Sequence, residues 1–159
     1  MANISLRPQT SGDEAFLSDL VIATREVEPG YRELVPQERT RLLKDQCRIQ
    51  SAGYRKEFPN AFFLVVEANT KPIGRFYVDH TPGHIRVVEL SLLPKFQGHG
   101  IGTQLMKTIL AEATRTQIPI LLSVVVWNHG AFRFYEKLGF RQVEQSETHA
   151  RLRWDSPTP

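Results

Sequence analysis

Hydrophobic and polar positions follow a two-residue period in several parts of the chain, and this period predicts strands. "ISLRP" alternates like a short strand. The runs "AFFLVVEA", "IGRFYVDH" and "HIRVVELSLL" are rich in β-branched and aromatic residues and are separated by the turns "NTKP" and "TPG", so they predict a three-stranded meander. "IPILLSVVVW" is continuously apolar and short for a helix, which predicts a strand buried on both faces. "RQVEQ" and "THARLRW" predict a closing hairpin.

Helical periodicity fills two segments near the N-terminus. In "SGDEAFLSDLVIATREV", Ser11 and Glu14 have the spacing of a capping box. The apolar face of this helix is predicted to contain Phe16, Leu20 and Val27. "VPQERTRLLKDQCRIQSAG" predicts a second helix, with a proline in its first turn and Gly53 beyond its end.

Two further helices are predicted in the second half of the chain. The stronger one begins at Ile101 and has one apolar stripe, formed by Ile101, Leu105, Met106, Ile109, Leu110 and Ala113. The other, in "NHGAFRFYEKLGF", has Asn128 as its N-cap and Gly139 as its C-cap. The order is βααβββαβαββ, which predicts an α+β fold with a mixed central sheet.

Composition limits the class of protein. The chain has 159 residues, 41% hydrophobic and 23% charged, typical of one globular domain over residues 1–159, with a core from about 3 to 154 and a frayed tail at 155–159. The net charge of +3 without a Lys/Arg block gives no reason to expect nucleic acid as a partner. The single cysteine, Cys47, excludes an internal disulfide framework. Because no secretory h-region and no apolar run of about 18 residues occur, we expect a cytoplasmic protein without a membrane partner.

The sequence "FQGHGIG" places three glycines at alternate positions where a predicted strand meets a helix. Bare backbone and a helix N-terminus together favour a phosphate group. The string G-x-x-x-x-G-K-[ST] of a nucleotide P-loop does not occur. A dinucleotide-binding fingerprint needs G-x-G-x-x-G, whereas the spacing here is G-x-G-x-G in mid-chain. Both nucleotide interpretations therefore fail.

Two segments resemble one known family. "LSLLPKFQGHGIG" is similar to the pantetheine- and pyrophosphate-binding motif Q/R-x-x-G-x-G/A of the GCN5-related N-acetyltransferase (GNAT) family, with Gln97, Gly100 and Gly102 at the motif positions. "NHGAFRFYEKLGF" is similar to the family's Asn-x-x-Ala-x-x-Phe-Tyr-x-x-x-Gly-Phe segment, which begins at Asn128 and contains Tyr135. The resemblance covers roughly residues 3 to 154 and implies a GNAT-like fold.

The resemblance implies acetyl-CoA or coenzyme A as the co-substrate. In this family a splayed pair of parallel strands, here those containing "ELSLL" and "ILLSVVV", binds pantetheine like an added strand. The main chain of Leu90 and Leu92 is then expected to bind pantetheine and polarise the thioester, and Asn128 to help fix it. The pyrophosphate is expected on the main chain of the glycine loop, formed by Gln97, Gly98, His99, Gly100, Ile101, Gly102 and Thr103.

The resemblance also implies direct transfer of an acetyl group to a primary amine of a small molecule or a protein, by an enzyme of the acyltransferase class. Tyr135 is expected to contact the sulfur as the general acid, because a phenol with an ordinary pKa of about 10 is protonated at neutral pH. Glu89 is a candidate base, or alternatively a solvated or ion-paired strand carboxylate. Asp79, His80 and His84 are further candidates.

The alternative is a catalytically inactive CoA-binding sensor or scaffold, but a complete glycine loop with Tyr135 favours the enzyme. The two histidines of "HTPGH" lie around a hairpin turn without a nearby cysteine, so we expect no metal site there. Dimers are common in the family, and a homodimer is an expectation on that ground.

Overall fold

A computed structural model describes residues 2–157. Its strands are β1 (Ile4–Pro8), β2 (Phe62–Ala68), β3 (Lys71–His80), β4 (Ile85–Leu92), β5 (Ile120–Val125), β6 (Arg141–Gln145) and β7 (His149–Trp154). Its α-helices are α1 (Glu14–Arg25), α2 (Pro36–Glu57), α3 (Ile101–Thr116) and α4 (His129–Lys137). Two 3₁₀ turns, Ser11–Asp13 and Pro94–Phe96, precede α1 and the glycine loop. The predicted order of strands and α-helices is confirmed.

The strands form a seven-stranded mixed sheet in the order β1-β2-β3-β4-β5-β7-β6. Strands β4 and β5 are parallel, whereas β1 with β2, β5 with β7 and β6 with β7 are antiparallel. The predicted mixed α+β fold is therefore confirmed.

The chain divides into two compact units. The first consists of Met1–Tyr77 and Glu89–Ile101, and the second of Val78–Val88 and Gly102–Pro159. Strands β3 and β4 each contribute residues to both units.

In the first unit, helices α1 and α2 form an apolar cluster. Leu17 and Val21 of α1 are buried with Leu43 and Cys47 of α2. Cys47 thus serves as a small core residue, as free cysteines often do. The predicted face of α1 is partly wrong: Val27 lies beyond the helix and is 68% exposed, and Leu17 and Val21 are buried in its place.

The helical segment begins one residue earlier than the capping-box spacing predicts, because the 3₁₀ turn that leads into α1 starts at Ser11. Thr10, not Ser11, is the N-cap of the preceding 3₁₀ turn, and its main-chain nitrogen donates to Oδ2 of Asp13 at 2.8 Å. Arg7 explains the shift, because its guanidinium binds both carboxylate oxygens of Asp13, at 2.8 and 2.9 Å. This ion pair links β1 to the start of the helical segment. It makes Asp13, and not Glu14, the acidic residue of the capping box.

Helix α2 continues through Gly53, where the sequence predicted its end. It runs to Glu57, and the main-chain nitrogen of Phe58 still donates to the oxygen of Tyr54 at 2.8 Å. A glycine inside a helix costs only about 0.5–1 kcal/mol relative to alanine. The last turn compensates for this cost, because the ring of Tyr54 packs edge-on against Tyr77 with centroids 6.0 Å apart.

In the second unit, the predicted stripe of α3 is buried at Leu105, Met106, Ile109 and Ala113. Strand β5 is not buried on both faces as predicted, because Ser123 is exposed while Ile120, Leu122 and Val124 are buried. One side of this strand therefore belongs to the core and the other is only partly covered.

The first residue of the predicted frayed tail, Asp155, has partners in the structure. Asp155 forms ion pairs with Arg153 at 2.9 Å and Arg141 at 3.0 Å. Residues 158 and 159 of that tail lie outside the described residues. Among residues 2–157, no helix is both long and apolar enough to cross a membrane.

Candidate active site

The glycine loop follows a short turn that closes β4. In the turn Pro94–Phe96, the main-chain nitrogen of Phe96 donates to the oxygen of Leu93 at 2.9 Å, and that of Gln97 to the oxygen of Pro94 at 3.1 Å. The side-chain amide of Gln97 turns back and donates to the oxygen of Leu92 at 2.9 Å. Gln97 therefore fastens the loop to the end of β4 through both its main chain and its side chain.

The loop itself is exposed and left-handed at two glycines. Gly98 has φ +77° and Gly100 has φ +82°, a region that residues with a Cβ rarely adopt. A Cβ built on Gly100 meets no atom of the described residues within 4 Å. Helix α3 begins at Ile101, and its first-turn amides have no intrahelical acceptor. The loop thus combines open space, exposed backbone and the positive end of a helix dipole.

The predicted site residues are divided between the two units. Glu89, Leu90, Leu92 and Gln97 to Ile101 belong to the first, whereas Gly102, Thr103, Asn128 and Tyr135 belong to the second.

In the first unit, the end of β4 packs tightly against β3. A Cβ on Gly74 would lie 2.2 Å from the main-chain oxygen of Ser91. The main-chain nitrogen of Leu93 donates to the oxygen of Ile73 at 2.8 Å. The strand segment that contains Leu90 and Leu92 is therefore held closely by its neighbour.

Glu89 is surrounded by three polar partners. The hydroxyl of Tyr54, on α2, donates to Oε2 of Glu89 at 2.8 Å, and the hydroxyl of Ser91 donates to Oε1 at 2.7 Å. Nη2 of Arg75, on β3, lies 3.4 Å from Oε2. Glu89 is thus an ion-paired and hydrogen-bonded carboxylate, and its role as a base stays a prediction.

Arg75 is almost completely buried, with 3% of its surface exposed. Its Nη2 also donates to the side-chain oxygen of Gln50 at 2.9 Å, and its guanidinium lies 5.4 Å from the centroid of the Tyr77 ring. Within residues 2–157, its Nε and Nη1 have no hydrogen-bond partner. Burial lowers the pKa of Arg75, but the charge of Glu89 together with Tyr77 and Tyr54 raises it, and the net change is upward. Glu89 is thus the anion that balances a buried cation.

Burial, and then the charge of Glu89, raise the pKa of Tyr54 well above its usual range. This hydroxyl is therefore protonated at neutral pH, where it donates to Glu89. The raised pKa fits the role of a fixed donor and not that of a proton carrier.

In the second unit, the parallel ladder between β4 and β5 is short. Registered pairs join Ile85 to Ile120 and Arg86 to Leu121. Among the described residues, Val87 and Val88 have no registered partner on β5, whereas β5 is paired with β7 along its whole length. This agrees with the splayed strand pair that the sequence predicts.

Helix α4 has the predicted N-cap, Asn128, whereas its C-cap is Leu138 and not the predicted Gly139, which follows it. Oδ1 of Asn128 accepts from the main-chain nitrogen of Ala131 at 3.1 Å, and Gly139 has φ +101°. Tyr135 is 8% exposed, and its ring packs edge-on against Phe134 at 4.9 Å and Phe140 at 5.3 Å. Its ring is therefore held by packing, which suits a residue with one fixed orientation.

Two of the other candidate bases, His80 and His84, have partners of their own. Nε2 of His80 lies 3.2 Å from Oε2 of Glu112, and Nδ1 of His84 lies 3.1 Å from the hydroxyl of Thr81. Across residues 2–157, no group of three or more His, Cys, Asp or Glu side chains is arranged to hold a metal ion.

The sequence analysis missed Arg75, Tyr54 and Gln50. A signal for Arg75 was present, because it is a charged residue in the middle of the apolar run "IGRFYV". A charge at an inward strand position is rarely buried unless it is paired. Tyr54 and Gln50 gave no such signal, since polar residues near the end of a helix are usually solvated.

Comparison with protein families completes this description. The sequence model of the Acetyltransferase (GNAT) family matches residues 20–140, more than half of the chain. The chain belongs to the GNAT family. The resemblance inferred from the two motifs is therefore confirmed, and the enzyme class predicted from it is the class of this family.

Among curated relatives, the GNAT chain is similar to the uncharacterized N-acetyltransferase CgeE of Bacillus subtilis. The two are 32% identical over 84 residues, which are 52% of this chain and 32% of CgeE. The chain spans about a third of the length of this relative.

Solved structures agree with the GNAT fold. The PaiA N-acetyltransferase of Thermoplasma acidophilum, solved in complex with coenzyme A, has a TM-score of 0.73 at 16% identity, covering 96% of this chain and 99% of that one. A GNAT family acetyltransferase of Elizabethkingia anophelis with acetyl-CoA bound has a TM-score of 0.61 at 18% identity, covering 96% and 98%. At these identities the likeness establishes the fold.

Proposed function

We propose that this GNAT protein transfers the acetyl group of acetyl-CoA directly to a primary amine of a small molecule or a protein. The observation that carries the proposal is the glycine loop. Gly100 has positive φ and open space where a Cβ would lie, immediately before the N-terminus of α3. A diphosphate needs such a bare backbone beside free amides. Family membership supports the proposal, as do the two structural neighbours solved with coenzyme A or acetyl-CoA.

In this proposal the main chain from Gln97 to Thr103 binds the pyrophosphate. The residues are not equivalent, because the amide of Gln97 already donates to the oxygen of Pro94. Gln97 then shapes the loop, and the amides of Gly98, His99, Gly100, Ile101, Gly102 and Thr103 are the proposed donors. The positive end of the α3 dipole favours the same anion.

The proposed pantetheine contacts are the main chain of Leu90 and Leu92 and the side chain of Asn128. The oxygen of Leu92 accepts from Gln97, and Oδ1 of Asn128 accepts from Ala131. We therefore assign the amide of Leu92 and the side-chain NH₂ of Asn128 to pantetheine, since the oxygens of these two groups already accept hydrogen bonds.

Acetyl-CoA supplies an activated acyl group as a thioester. The amine nitrogen forms the new bond to the carbonyl carbon, the carbon–sulfur bond breaks, and the thiolate leaves. Tyr135 is the proposed general acid, which delivers its hydroxyl proton to the sulfur and is reprotonated from solvent. An amine that reaches the protein as an ammonium loses one proton before it attacks and a second one afterwards. One of these two protons balances the proton that the thiolate takes up, so the products are an amide, CoA and one proton.

The test has a binding arm and a transfer arm. Coenzyme A or acetyl-CoA should raise the melting temperature, because at a concentration of 100 Kd a ligand stabilises the folded protein by about 2.7 kcal/mol. ATP and NAD at equal concentration should raise the melting temperature much less. Transfer should then appear as free thiol released from acetyl-CoA in the presence of one member of an amine panel. Equal stabilisation by ATP and coenzyme A would contradict the cofactor assignment. If coenzyme A binds tightly but no amine in the panel causes thiol release, the proposed acetyl transfer would be contradicted.

A further inference from the structure

The strongest unexplained feature of the first unit is the polar network around Glu89. It joins three elements: Tyr54 on α2, Arg75 on β3, and Glu89 with Ser91 on β4. Both carboxylate oxygens of Glu89 accept a hydrogen bond, and Oε2 also faces Arg75. We infer that Arg75 and Tyr54 are positioning residues that act through Glu89, holding the end of β4 in the conformation that binds acetyl-CoA. The inference rests on the proposed function.

The burial of Arg75 favours this role over general-base catalysis by Glu89. A guanidinium that is 3% exposed needs an anion beside it, since a buried charge without its partner is strongly unfavourable. Glu89 is the carboxylate in contact with it. A general base would take up a proton in every catalytic cycle and would leave Arg75 without its counter-ion each time. An anion that must stay charged is better suited to hold structure than to carry protons.

The contacts of Glu89 reach the main chain that the proposal uses. Oε1 accepts from the hydroxyl of Ser91, which lies between Leu90 and Leu92. The main-chain oxygen of Ser91 lies against Gly74, and the oxygen of Leu92 accepts from Gln97. Glu89 therefore holds one side of the segment, while Gly74 and Gln97 hold the other. Loosening Glu89 should misplace the amides at the end of β4.

Tyr54→Phe is the mildest test of the network. It removes the hydroxyl that donates to Oε2 and keeps the ring that packs against Tyr77. The dissociation constant of coenzyme A, measured by calorimetry, should rise about tenfold, and the KM for acetyl-CoA should rise in parallel. Such a change is of the size that one hydrogen bond to a charged group contributes. Tyr31→Phe is the matched control, because Tyr31 packs against Arg25 and not against Glu89. Its dissociation constant for coenzyme A should stay within about twofold of the native value.

Glu89→Gln separates positioning from base catalysis. If Glu89 holds the end of β4 in position, the dissociation constant of coenzyme A rises about tenfold or more in the variant. The pH dependence of kcat then keeps its acidic limb. If Glu89 is the base, kcat falls by about a hundredfold or more, the acidic limb disappears, and coenzyme A affinity is unchanged. The second result would overturn the inference.

Failure of the inference is distinguishable from failure of the proposed function. If the native protein does not bind coenzyme A, the proposed function is wrong, and the inference about acetyl-CoA binding is wrong with it. If the native protein binds it and Tyr54→Phe binds it as well as Tyr31→Phe does, only the positioning role is wrong. Because Tyr54→Phe leaves the Arg75–Glu89 ion pair intact, the test does not depend on a variant that exposes a buried charge.

Discussion

Gly74 on β3 lies against the main chain of β4 so closely that a Cβ there would be 2.2 Å from the oxygen of Ser91 and 3.2 Å from the Cα of Leu92. Both of these atoms belong to the backbone, so neither can rotate away. The absence of a side chain at Gly74 therefore allows β3 to support the segment of β4 from Glu89 to Leu92.

Gly74→Ala should destabilise the protein by about 1–3 kcal/mol or more, because a methyl group must displace a strand. Gly53→Ala is the matched control: among residues 2–157, no atom beyond its own helix lies within 4 Å of the added Cβ. It should stabilise the protein by about 0.5–1 kcal/mol, since alanine is the better helix former. Urea denaturation measures both. Equal effects of the two substitutions would contradict the close approach at Gly74.

Gly100→Val tests the glycine loop. The substitution forces a β-branched residue into a left-handed conformation and fills the space proposed for the pyrophosphate. Coenzyme A affinity, measured by calorimetry, should fall at least about a hundredfold, a loss of about 2.7 kcal/mol.

Gly83→Val is the control for that substitution. Gly83 lies in the turn between β3 and β4, with open space at its Cβ and without positive φ. Its substitution should leave coenzyme A affinity within about twofold. If Gly100→Val also bound coenzyme A normally while remaining folded, the loop would not be the diphosphate site.

Tyr135→Phe tests the proposed general acid. The ring packs against Phe134 and Phe140, and phenylalanine keeps these contacts, so coenzyme A affinity should barely change. Loss of the hydroxyl should lower kcat by roughly ten- to a thousandfold. Steady-state kinetics with an amine found in the panel measure this effect. A kcat within about twofold of the native value would make Tyr135 a packing residue and leave proton delivery to solvent.

The ion pair of Arg7 and Asp13 predicts a specific loss of stability in acid. The hydrogen bond from Arg7 holds the pKa of Asp13 at about 2, against 3.8 for a free side chain. Because the folded pKa is the lower one, the stabilisation is complete above about pH 4 and is lost as the pH falls towards 2. Its size is about 2 kcal/mol, from 1.36 kcal/mol per pKa unit.

Asp13→Asn should remove that part of the pH dependence. Unfolding free energies at pH 6 and pH 2 should differ by about 2 kcal/mol less in the variant than in the native protein. Glu14→Gln, at the position that the sequence had favoured for the cap, serves as the control and should retain the native difference. An Asp13→Asn profile that parallels the native one would show that Asp13 does not titrate in this window.

Elements with strong local signals were predicted well. The stripe of α3 repeats at helical spacing, and α4 has Asn128 at its start and Gly139 at its end, so a few neighbouring residues specify each element. The two motifs likewise identified the family, because a left-handed glycine loop and a capped helix depend on residues close together in the chain. Two predicted helix ends were wrong: α2 continues through Gly53, and Thr10, not Ser11, is the first N-cap.

By itself, the sequence determined the order of strands and helices, the GNAT family and the glycines that make the loop left-handed. Tertiary structure decided the partners of the charged residues. Arg75 and Glu89 are 14 residues apart in the chain, and Tyr54 is 35 residues from Glu89, yet they meet in one network. The physical reason is that a buried charge is tolerated only beside its partner, and which partner it meets depends on strand pairing and helix packing over long separations.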